Sequence, residues 1–456
     1  MKKLNIESNN ERRLIYAMMF AGILPLLDSS IANVILPNIS HDTGISYNYV
    51  QWIIVSYMLS CSAGILISPF TSKKYGIKQT WLYSLLIFMV GSLLVGLSFN
   101  STSLILSRSL QGFGAGILMP VTQSALAIQF GKERLRGIMA LIAIPAVFAP
   151  AVGPLLGGTL ADIISWRYAF FINIPIVFIS LYLGGKVIPR SESMDIELNV
   201  FVYILFFISL VFVFASIYFL TIKHIAMIYS MILFIIGMGL LLKTVLINNK
   251  SKFQIINLNQ FKMSGYTLSI IMAFFTSLIF FGFLVFFPLL KSMQSDVSII
   301  YIGFLLSLQG VGAWLTRKFI YSKLNEYNLF LIIGVGIIVS ALSILLIENG
   351  SELFEYSGFF IRGIGLGVAT IATLSAPFEY GQKKYAHDTS AITRITQQIG
   401  GAFGGLVAGG LINYMELKVI NSYDAYNILF WLSILIGAFS ILIVYFITNK
   451  KIMIKK

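Results

Sequence analysis

Long apolar segments alternate with short polar ones along the chain. An α-helix needs about 20 predominantly apolar residues to cross the roughly 30 Å hydrocarbon core of a bilayer. We expect the first such segment to remain as a span, because its apolar stretch is longer than that of a signal peptide and contains Asp28. The pattern predicts an all-α polytopic membrane protein with fourteen transmembrane helices, at 14–36, 47–70, 80–97, 102–128, 136–160, 168–188, 198–220, 224–243, 264–289, 297–316, 328–347, 354–376, 389–414 and 425–447.

The composition excludes several other classes of protein. Hydrophobic residues make up 57% and charged residues 11% of the 456 residues, with a mean hydropathy of +0.87. A soluble domain carries about 25% charged residues, so a soluble enzyme and a disordered chain are excluded. The single cysteine, Cys61, cannot form an internal disulfide, which excludes a secreted disulfide scaffold.

The positive charges follow the predicted spans. The net charge is +14, but the basic residues lie in short clusters between apolar segments, so we expect a lipid bilayer and no nucleic acid as partner. With the N-terminus in the cytoplasm, 25 of the 32 Lys and Arg residues fall on the inner side and 4 on the outer side. This bias predicts a multi-pass protein of the cytoplasmic membrane with both termini inside.

Two glycine-rich stretches indicate an internal repeat. Residues 108–116 in the fourth span and 362–367 in the twelfth both begin with Arg and then carry three glycines at every second position. Close helix packing alone also favours glycine, but the matched positions favour a transporter built from two halves. We predict six-helix bundles at 1–190 and 251–456, with two inserted helices at 191–250.

One acidic residue, Asp28, lies deep within a predicted span. An ionisable group inside a membrane is costly and indicates a functional site, with a static ion pair as the alternative. At 1.5 Å per residue, Asp28 lies about 21 Å from the cytoplasmic end of its span, and Arg108 lies at about the same depth in the fourth span. We therefore predict that Asp28 and Arg108 couple proton binding to a conformational change.

Polar and aromatic side chains within the spans are candidates for substrate binding, with helix packing as the alternative role for the aromatic ones. They are Asn33, Gln51, Trp52, Tyr57, Gln309, Gln397 and Gln398. No Cys/His cluster or Ser/His/Asp set is apparent, so we predict no metal, no cofactor and no enzyme activity. The sequence contains no G-x-x-x-x-G-K-[ST] loop, which predicts that an ion gradient drives any uphill transport.

Several motifs resemble those of the fourteen-span drug:proton antiporters of the major facilitator superfamily, most closely over residues 14–190. They are Leu27 to Pro37, Gln51-Trp52 with Tyr57, Arg108 to Gly116, Ala149 to Gly158, Trp166-Arg167 and Phe171 to Pro175. The resemblance implies the major facilitator fold and a role for Arg108 in proton transfer. It also implies gating or structural roles for Gly76, Gly112, Pro150, Gly153, Pro154, Gly157 and Gly158.

The cytoplasmic segment between the second and third spans departs from the family pattern. It reads Pro69 to Lys78, with Lys73 where the family has an Asp. The resemblance therefore does not extend to the charge relay attributed to that Asp, whereas Gly76 and the positive charges remain.

Together these features predict a monomeric, proton-driven multidrug exporter that works by alternating access. Its expected substrates are lipophilic cationic, neutral or zwitterionic compounds. Two alternatives stay open. One is a dedicated exporter of an endogenous metabolite, lipid or peptide, and the other is a non-transporting membrane sensor or enzyme.

Overall fold

The computed structural model describes residues 8–188, 199–220, 227–250, 258–294, 297–320, 328–349, 351–382 and 385–454. The regular secondary structure within these ranges is entirely helical. The chain forms two compact units, Met1–Ile256 and Asn257–Lys456. The finer division into two six-helix bundles and two inserted helices stays a prediction.

Local signals set several helix ends in the N-terminal unit. At the start of the first helix, the Ser8 hydroxyl accepts a hydrogen bond from the Glu11 amide. Asn100 and Ser103 form a capping box at the start of the helix that begins at Ser101. Gly76 separates two helices with a φ of +83°, which glycine adopts readily. The helices are α1 (Asn9–Val34), α2 (Leu36–Thr43), α3 (Tyr47–Val50), α4 (Trp52–Tyr75), α5 (Ile77–Gly96), α6 (Ser101–Ile163), α7 (Tyr168–Phe171), α8 (Asn173–Gly184), α9 (Val200–Leu220) and α10 (Met227–Lys250).

Helix α6 is 63 residues long, yet it reverses direction. Arg108, near its start, contacts Asp28 of α1. The carbonyl oxygen of Ala149 accepts a hydrogen bond from Ser30, only two residues further along α1. A straight helix would separate residues 108 and 149 by about 60 Å. The helix therefore folds back, and its two arms pass α1 in opposite directions.

The helices of the C-terminal unit, which follow a 3₁₀ turn at Asn259–Lys262, are α11 (Ser264–Gln294), α12 (Ile299–Ile320), α13 (Leu329–Glu348), α14 (Glu352–Tyr380), α15 (Ala386–Glu416) and α16 (Ser422–Ile454). The unit has α14 at its centre. This helix packs against α11, α12 and α13 and also touches α15, and its Leu366 lies in a buried cluster with Phe330 and Ile337.

Twelve helical segments within the described residues are long and apolar enough to cross a membrane, so the chain is a multi-pass membrane protein. The count of fourteen spans is not confirmed. The predicted span 136–160 lies in the second arm of α6, where most side chains of 131–148 are outside the described residues. The predicted span 168–188 corresponds to a shorter apolar stretch, Tyr168–Gly184.

Glycine lets α6 approach α4 at backbone distance. A Cβ atom on Gly112 would lie 2.2 Å from the carbonyl oxygen of Tyr57, and one on Gly116 would lie 2.1 Å from that of Cys61. No side chain fits at such distances, so these glycines are required for the two helices to pack this closely.

The second arm of α6 packs in the same way against α1. A Cβ atom on Gly153 would lie 1.9 Å from the Ser30 hydroxyl oxygen, and one on Gly157 would lie 3.1 Å from the Ile31 side chain. The remaining predicted gating or structural residues of this arm are buried or half-buried, namely Pro150, Pro154 and Gly158.

The glycine contacts recur in the C-terminal unit. A Cβ atom on Gly363 of α14 would lie 2.1 Å from the carbonyl oxygen of Gln309 on α12, just as one on Gly116 would lie 2.1 Å from that of Cys61 on α4. Gly312 of α12 also meets Gly363 as Gly64 of α4 meets Gly116, so Gly363 and Gly116 occupy equivalent positions in the two units.

The arginines of the two repeats are not equivalent in this register. Arg108 lies eight residues before Gly116, whereas Arg362 lies one residue before Gly363. Arg362 therefore occupies the helical position that Ala115 has in the N-terminal unit, and Glu355 occupies that of Arg108.

Helices α9 and α10 pair with each other, and α9 also contacts α4. The Tyr203 hydroxyl donates a hydrogen bond of 3.0 Å to the Ala63 carbonyl oxygen, and the ring of Tyr218 meets that of Trp52 edge-on at 5.4 Å. These contacts join the predicted inserted helices to the N-terminal unit through α9.

We expect Gly112→Ala to lower the thermal unfolding temperature of the purified protein, because the added methyl group would meet the Tyr57 backbone. Gly239→Ala in α10 is the matched control, since a Cβ atom there meets nothing within 4 Å. Alanine at that position improves helix propensity by about 1 kcal/mol, so its unfolding temperature should be unchanged or higher. Equal unfolding temperatures for the two variants would contradict the packing argument.

Candidate functional site

The buried carboxylate of Asp28 is at the centre of a polar network in the N-terminal unit. Its Oδ2 lies 2.6 Å from Nη1 of Arg108, and both side chains are fully buried. Two residues that were predicted to lie at one depth are thus in direct contact. In a low-dielectric interior such a charge-assisted hydrogen bond is short and strong.

Two amide side chains complete the coordination of Asp28. Its Oδ1 accepts hydrogen bonds from Nε2 of Gln111 at 2.7 Å and from Nδ2 of Asn173 at 2.9 Å. The Oε1 atom of Gln111 accepts from Arg108 at 2.6 Å, so this amide bridges both members of the ion pair. Ser92 of α5 accepts from Gln111 at 2.7 Å and from Asn173 at 3.3 Å. Four helices therefore supply the network.

The helical period explains why α6 contributes two residues. Arg108 and Gln111 are three residues apart, and side chains at this spacing share one face of a helix. From the sequence, Gln111 and Asn173 are only positions within two motifs, Arg108 to Gly116 and Phe171 to Pro175. The spacing from Arg108 is the signal that identifies Gln111, whereas no local pattern identifies Asn173 or Ser92.

The Arg108 guanidinium has further support that does not depend on Asp28. Its Nε donates to the Ile53 carbonyl oxygen at 3.3 Å. Its Cζ lies 4.3 Å from the ring centroid of Tyr57 and 5.4 Å from that of Phe170. Aromatic faces stabilise cations electrostatically. The cation can therefore remain in place while its contact with the carboxylate changes.

Several predicted substrate-binding residues carry buried polar atoms without a hydrogen-bond partner. In the N-terminal unit these are both amide atoms of Asn33, Nε1 of Trp52 and the Tyr57 hydroxyl. In the C-terminal unit, Oε1 of Gln309 is also buried and lacks a hydrogen-bond partner. Such atoms are costly unless a ligand or water satisfies them. The other predicted residues are Gln51, which is buried, and Gln397 and Gln398, which are half-buried.

A second buried carboxylate, which sequence analysis placed at the end of a span, lies in the C-terminal unit. Glu355, in the first turn of α14, is 2% exposed. It forms an ion pair with Lys291 of α11 and accepts a 3.0 Å hydrogen bond from the Tyr301 hydroxyl. Because these two side chains cover it, a carboxyl at a helix end is removed from solvent.

A polar cluster joins three loop regions of the N-terminal unit. Asp42 of α2 accepts hydrogen bonds from Nη1 of Arg167 at 2.5 Å and from Nε1 of Trp166 at 2.9 Å, and Arg167 also reaches the Ser98 carbonyl oxygen. The Arg167 guanidinium and then the Trp166 indole hold the pKa of Asp42 below its ordinary value of 3.8. The cluster gives Trp166 and Arg167 a structural role, since both side chains hold Asp42.

Neither a metal site nor the family's loop carboxylate is apparent. Among the residues the structure describes, no group of three or more His, Cys, Asp and Glu side chains could hold a metal ion. Lys73 lies exposed in the last turn of α4, where a positive charge favours the helix end.

Comparison with known proteins identifies related sequences. The family model of the Major Facilitator Superfamily matches residues 18–405. The chain is similar to a multidrug export protein, EmrB, of Haemophilus influenzae, with 34% identity over 180 residues, which are 40% of this chain and 35% of that protein. It is also similar to a fatty acid resistance protein, FarB, of Neisseria gonorrhoeae, with 33% identity over 177 residues, 39% of this chain and 35% of that protein. The match spans about a third of the length of these curated relatives.

Solved structures share the fold at low sequence identity. A POT family transporter in complex with a thioalcohol-conjugated peptide has a TM-score of 0.70 and 13% identity, covering 96% of both chains. A nucleoside transporter, NupG, has a TM-score of 0.67 and 10% identity, covering 94% of this chain and 99% of its own. At these identities the likeness concerns the fold alone.

We expect Asp28→Asn and Arg108→Gln each to be destabilising, Arg108→Gln more strongly, and the two losses to be less than additive together. Removing one member of a buried ion pair costs up to about 3–5 kcal/mol. The loss is smaller for Asp28→Asn because Arg108 keeps its carbonyl, amide and aromatic contacts, and the double variant leaves no uncompensated charge. Thermal unfolding of the four proteins in the same detergent measures the coupling. Additive losses would show that the two side chains do not interact.

We expect Asp42→Asn to lower stability at neutral pH and to have a smaller effect at about pH 3. The pKa of Asp42 is lower in the folded protein, so its contribution is present above pH 3.8 and is lost as the pH falls through the folded value. Because the pair is partly exposed, the contribution is at most about 1 kcal/mol. Unfolding temperatures of both proteins across this pH range provide the test, and a pH-independent difference would contradict it.

Proposed function

This chain belongs to the major facilitator superfamily, and we propose that it exports drugs in exchange for protons by alternating access. The observation that carries the proposal is the buried Asp28–Arg108 ion pair within its amide network. Similarity to multidrug export proteins over part of the chain supports the substrate class.

The chemistry of the pair supports proton coupling. A proton that binds Oδ2 of Asp28 neutralises the carboxylate and removes the acceptor of the 2.6 Å contact with Arg108. Arg108 then keeps its contacts with Ile53, Gln111 and the Tyr57 ring. Loss of the proton restores the ion pair. The two protonation states therefore favour different positions of α1 relative to α6, which is what an alternating-access cycle requires.

The same carboxylate allows competition between protons and cationic drugs. A lipophilic cation that approaches Asp28 would replace the charge of Arg108 or of the proton. Neutral and zwitterionic compounds lack the net positive charge that this contact with Asp28 requires. For them the unpaired polar atoms of Asn33, Trp52 and Tyr57 offer donors and acceptors beside apolar walls.

The charge distribution supports a location in the cytoplasmic membrane with both termini in the cytoplasm. We propose a monomer as the unit of function, because side chains of one chain suffice to supply the polar contacts of Asp28.

A second candidate is a dedicated exporter of an endogenous lipid or related amphiphile. The observation that favours it is the similarity to a fatty acid resistance protein, which has nearly the same identity and extent as the similarity to the multidrug protein. A profile restricted to long-chain fatty acids, with no movement of cationic dyes, would favour this candidate over multidrug export.

We expect the reconstituted protein to move ethidium against its gradient when a proton gradient is imposed, and Asp28→Asn to abolish this movement. Asp162→Asn is the matched control, because Asp162 is an exposed carboxyl at the end of α6. The measurement is ethidium fluorescence in vesicles with an imposed pH difference.

Substrate exchange without a pH gradient separates coupling from binding. Asp28→Asn should retain exchange of a neutral lipophilic compound, whose proposed binding does not use the carboxylate, while losing gradient-driven accumulation. Full gradient-driven transport by Asp28→Asn would place the proton site elsewhere. No movement of ethidium or of a fatty acid by the native protein would overturn the proposed function.

A further inference from the structure

Arg362 of α14 is a buried cation without a carboxylate partner among the described residues. Its side chain is almost completely inaccessible, with 1% exposure. The ion pairs within those residues join Asp28, Glu11, Asp42 and Glu355 to other basic side chains. An uncompensated charge in a low-dielectric interior is costly, so the surroundings of Arg362 require an explanation.

Neutral groups accept hydrogen bonds from only some of the N–H donors of the Arg362 guanidinium. Nη1 donates to the carbonyl oxygen of Ser340 at 3.3 Å and to its hydroxyl at 3.0 Å, and Nη2 donates to the Ile279 carbonyl oxygen at 3.3 Å. The Phe283 ring lies 3.8 Å from Cζ. Nε has no partner. Nε and the second hydrogen of Nη2 are on the same edge of the group, which is the edge that binds anions in a bidentate manner.

A small cavity lies beside this guanidinium. Its volume is about 10 Å³, and its walls include Leu278, Phe283 and Ile344. This is space for a single particle of about the size of a water molecule. The Ser433 hydroxyl is also in the lining, but it donates its hydrogen to the Leu429 carbonyl oxygen at 2.8 Å. Arg362 is therefore the source of positive potential in this cavity.

Helix α11 has no counterpart of Asp28. Gly157 of α6 packs on Ile31 of α1, and Gly404 of α15 packs on Leu278 of α11. In this register, Phe275 of α11 occupies the position that Asp28 has on α1. The C-terminal unit thus keeps this glycine packing but has an aromatic residue at the position of the acid.

We propose that the cavity beside Arg362 binds one monovalent anion of the size of chloride, which acts as the counter-ion of the buried guanidinium. The positive charge and the free Nε donor select a negative ligand, and the volume excludes larger organic anions. The anion links α14 to the α11 and α13 groups that hold the same side chain, and so stabilises the C-terminal unit. This site is independent of the proposed drug and proton exchange.

The test compares the purified full-length protein in sodium chloride, sodium bromide and sodium gluconate at equal concentration. We expect a saturable rise of the thermal unfolding temperature, followed by tryptophan fluorescence, in chloride and bromide relative to gluconate. Arg362→Gln should lose this rise, and in gluconate it should unfold at the same temperature as the native protein or higher, because it lacks the uncompensated charge. Ser433→Ala is the matched control from the same cavity and should keep the rise.

Equilibrium binding of radioactive chloride to the native protein provides a test that does not depend on any variant. One saturable site per chain, displaced by bromide and not by gluconate, supports the proposal. Absence of saturable binding, or a halide effect of equal size in Arg362→Gln, would overturn it.

Discussion

A charge inside a lipid-embedded helix bundle must be neutralised within the protein, and the N-terminal unit is organised around this constraint. Asp28 and Arg108 come from α1 and α6, and their contact exists only because the two helices approach closely. Gly112 lets the arm of α6 that carries Arg108 pack on α4, and Gly153 lets the second arm pack on α1 beside Asp28, since any side chain there would meet those helices. The ion pair and the glycine packing are therefore two parts of one arrangement.

The amides around the pair give it a property that a bare salt bridge lacks. Gln111 contacts both the carboxylate and the guanidinium, and Asn173 contacts the carboxylate from another helix. When the charge of Asp28 changes, Arg108 still has a carbonyl group, an amide and two aromatic rings around it. A site of this kind tolerates two charge states of one carboxyl, which a proton-coupled transporter needs and a purely structural ion pair does not.

The two units share a framework but differ in their buried charges. Gly116 and Gly363 make the same backbone contacts in their own units, yet Glu355 takes the position of Arg108 and Phe275 that of Asp28. Glu355 lies buried in the first turn of α14 and pairs with Lys291. The two units thus share the packing of these helices, while their buried charges differ.

The sequence by itself determined that the chain is a helical membrane protein, and it identified Asp28 and Arg108. The length of an apolar segment and the depth of a charge within it can both be counted along the sequence. Only the tertiary structure decided that Gln111, Asn173 and Ser92 join them. Burying an uncharged polar side chain in a membrane costs less free energy than burying a charge, so such residues do not stand out in the sequence. It also decided that Glu355 is buried and that Arg108 and Arg362 do not lie at equivalent positions of the two units. These facts depend on which faces of separate helices meet, and that is settled by side-chain volume at the contacts between helices rather than by any pattern along one helix.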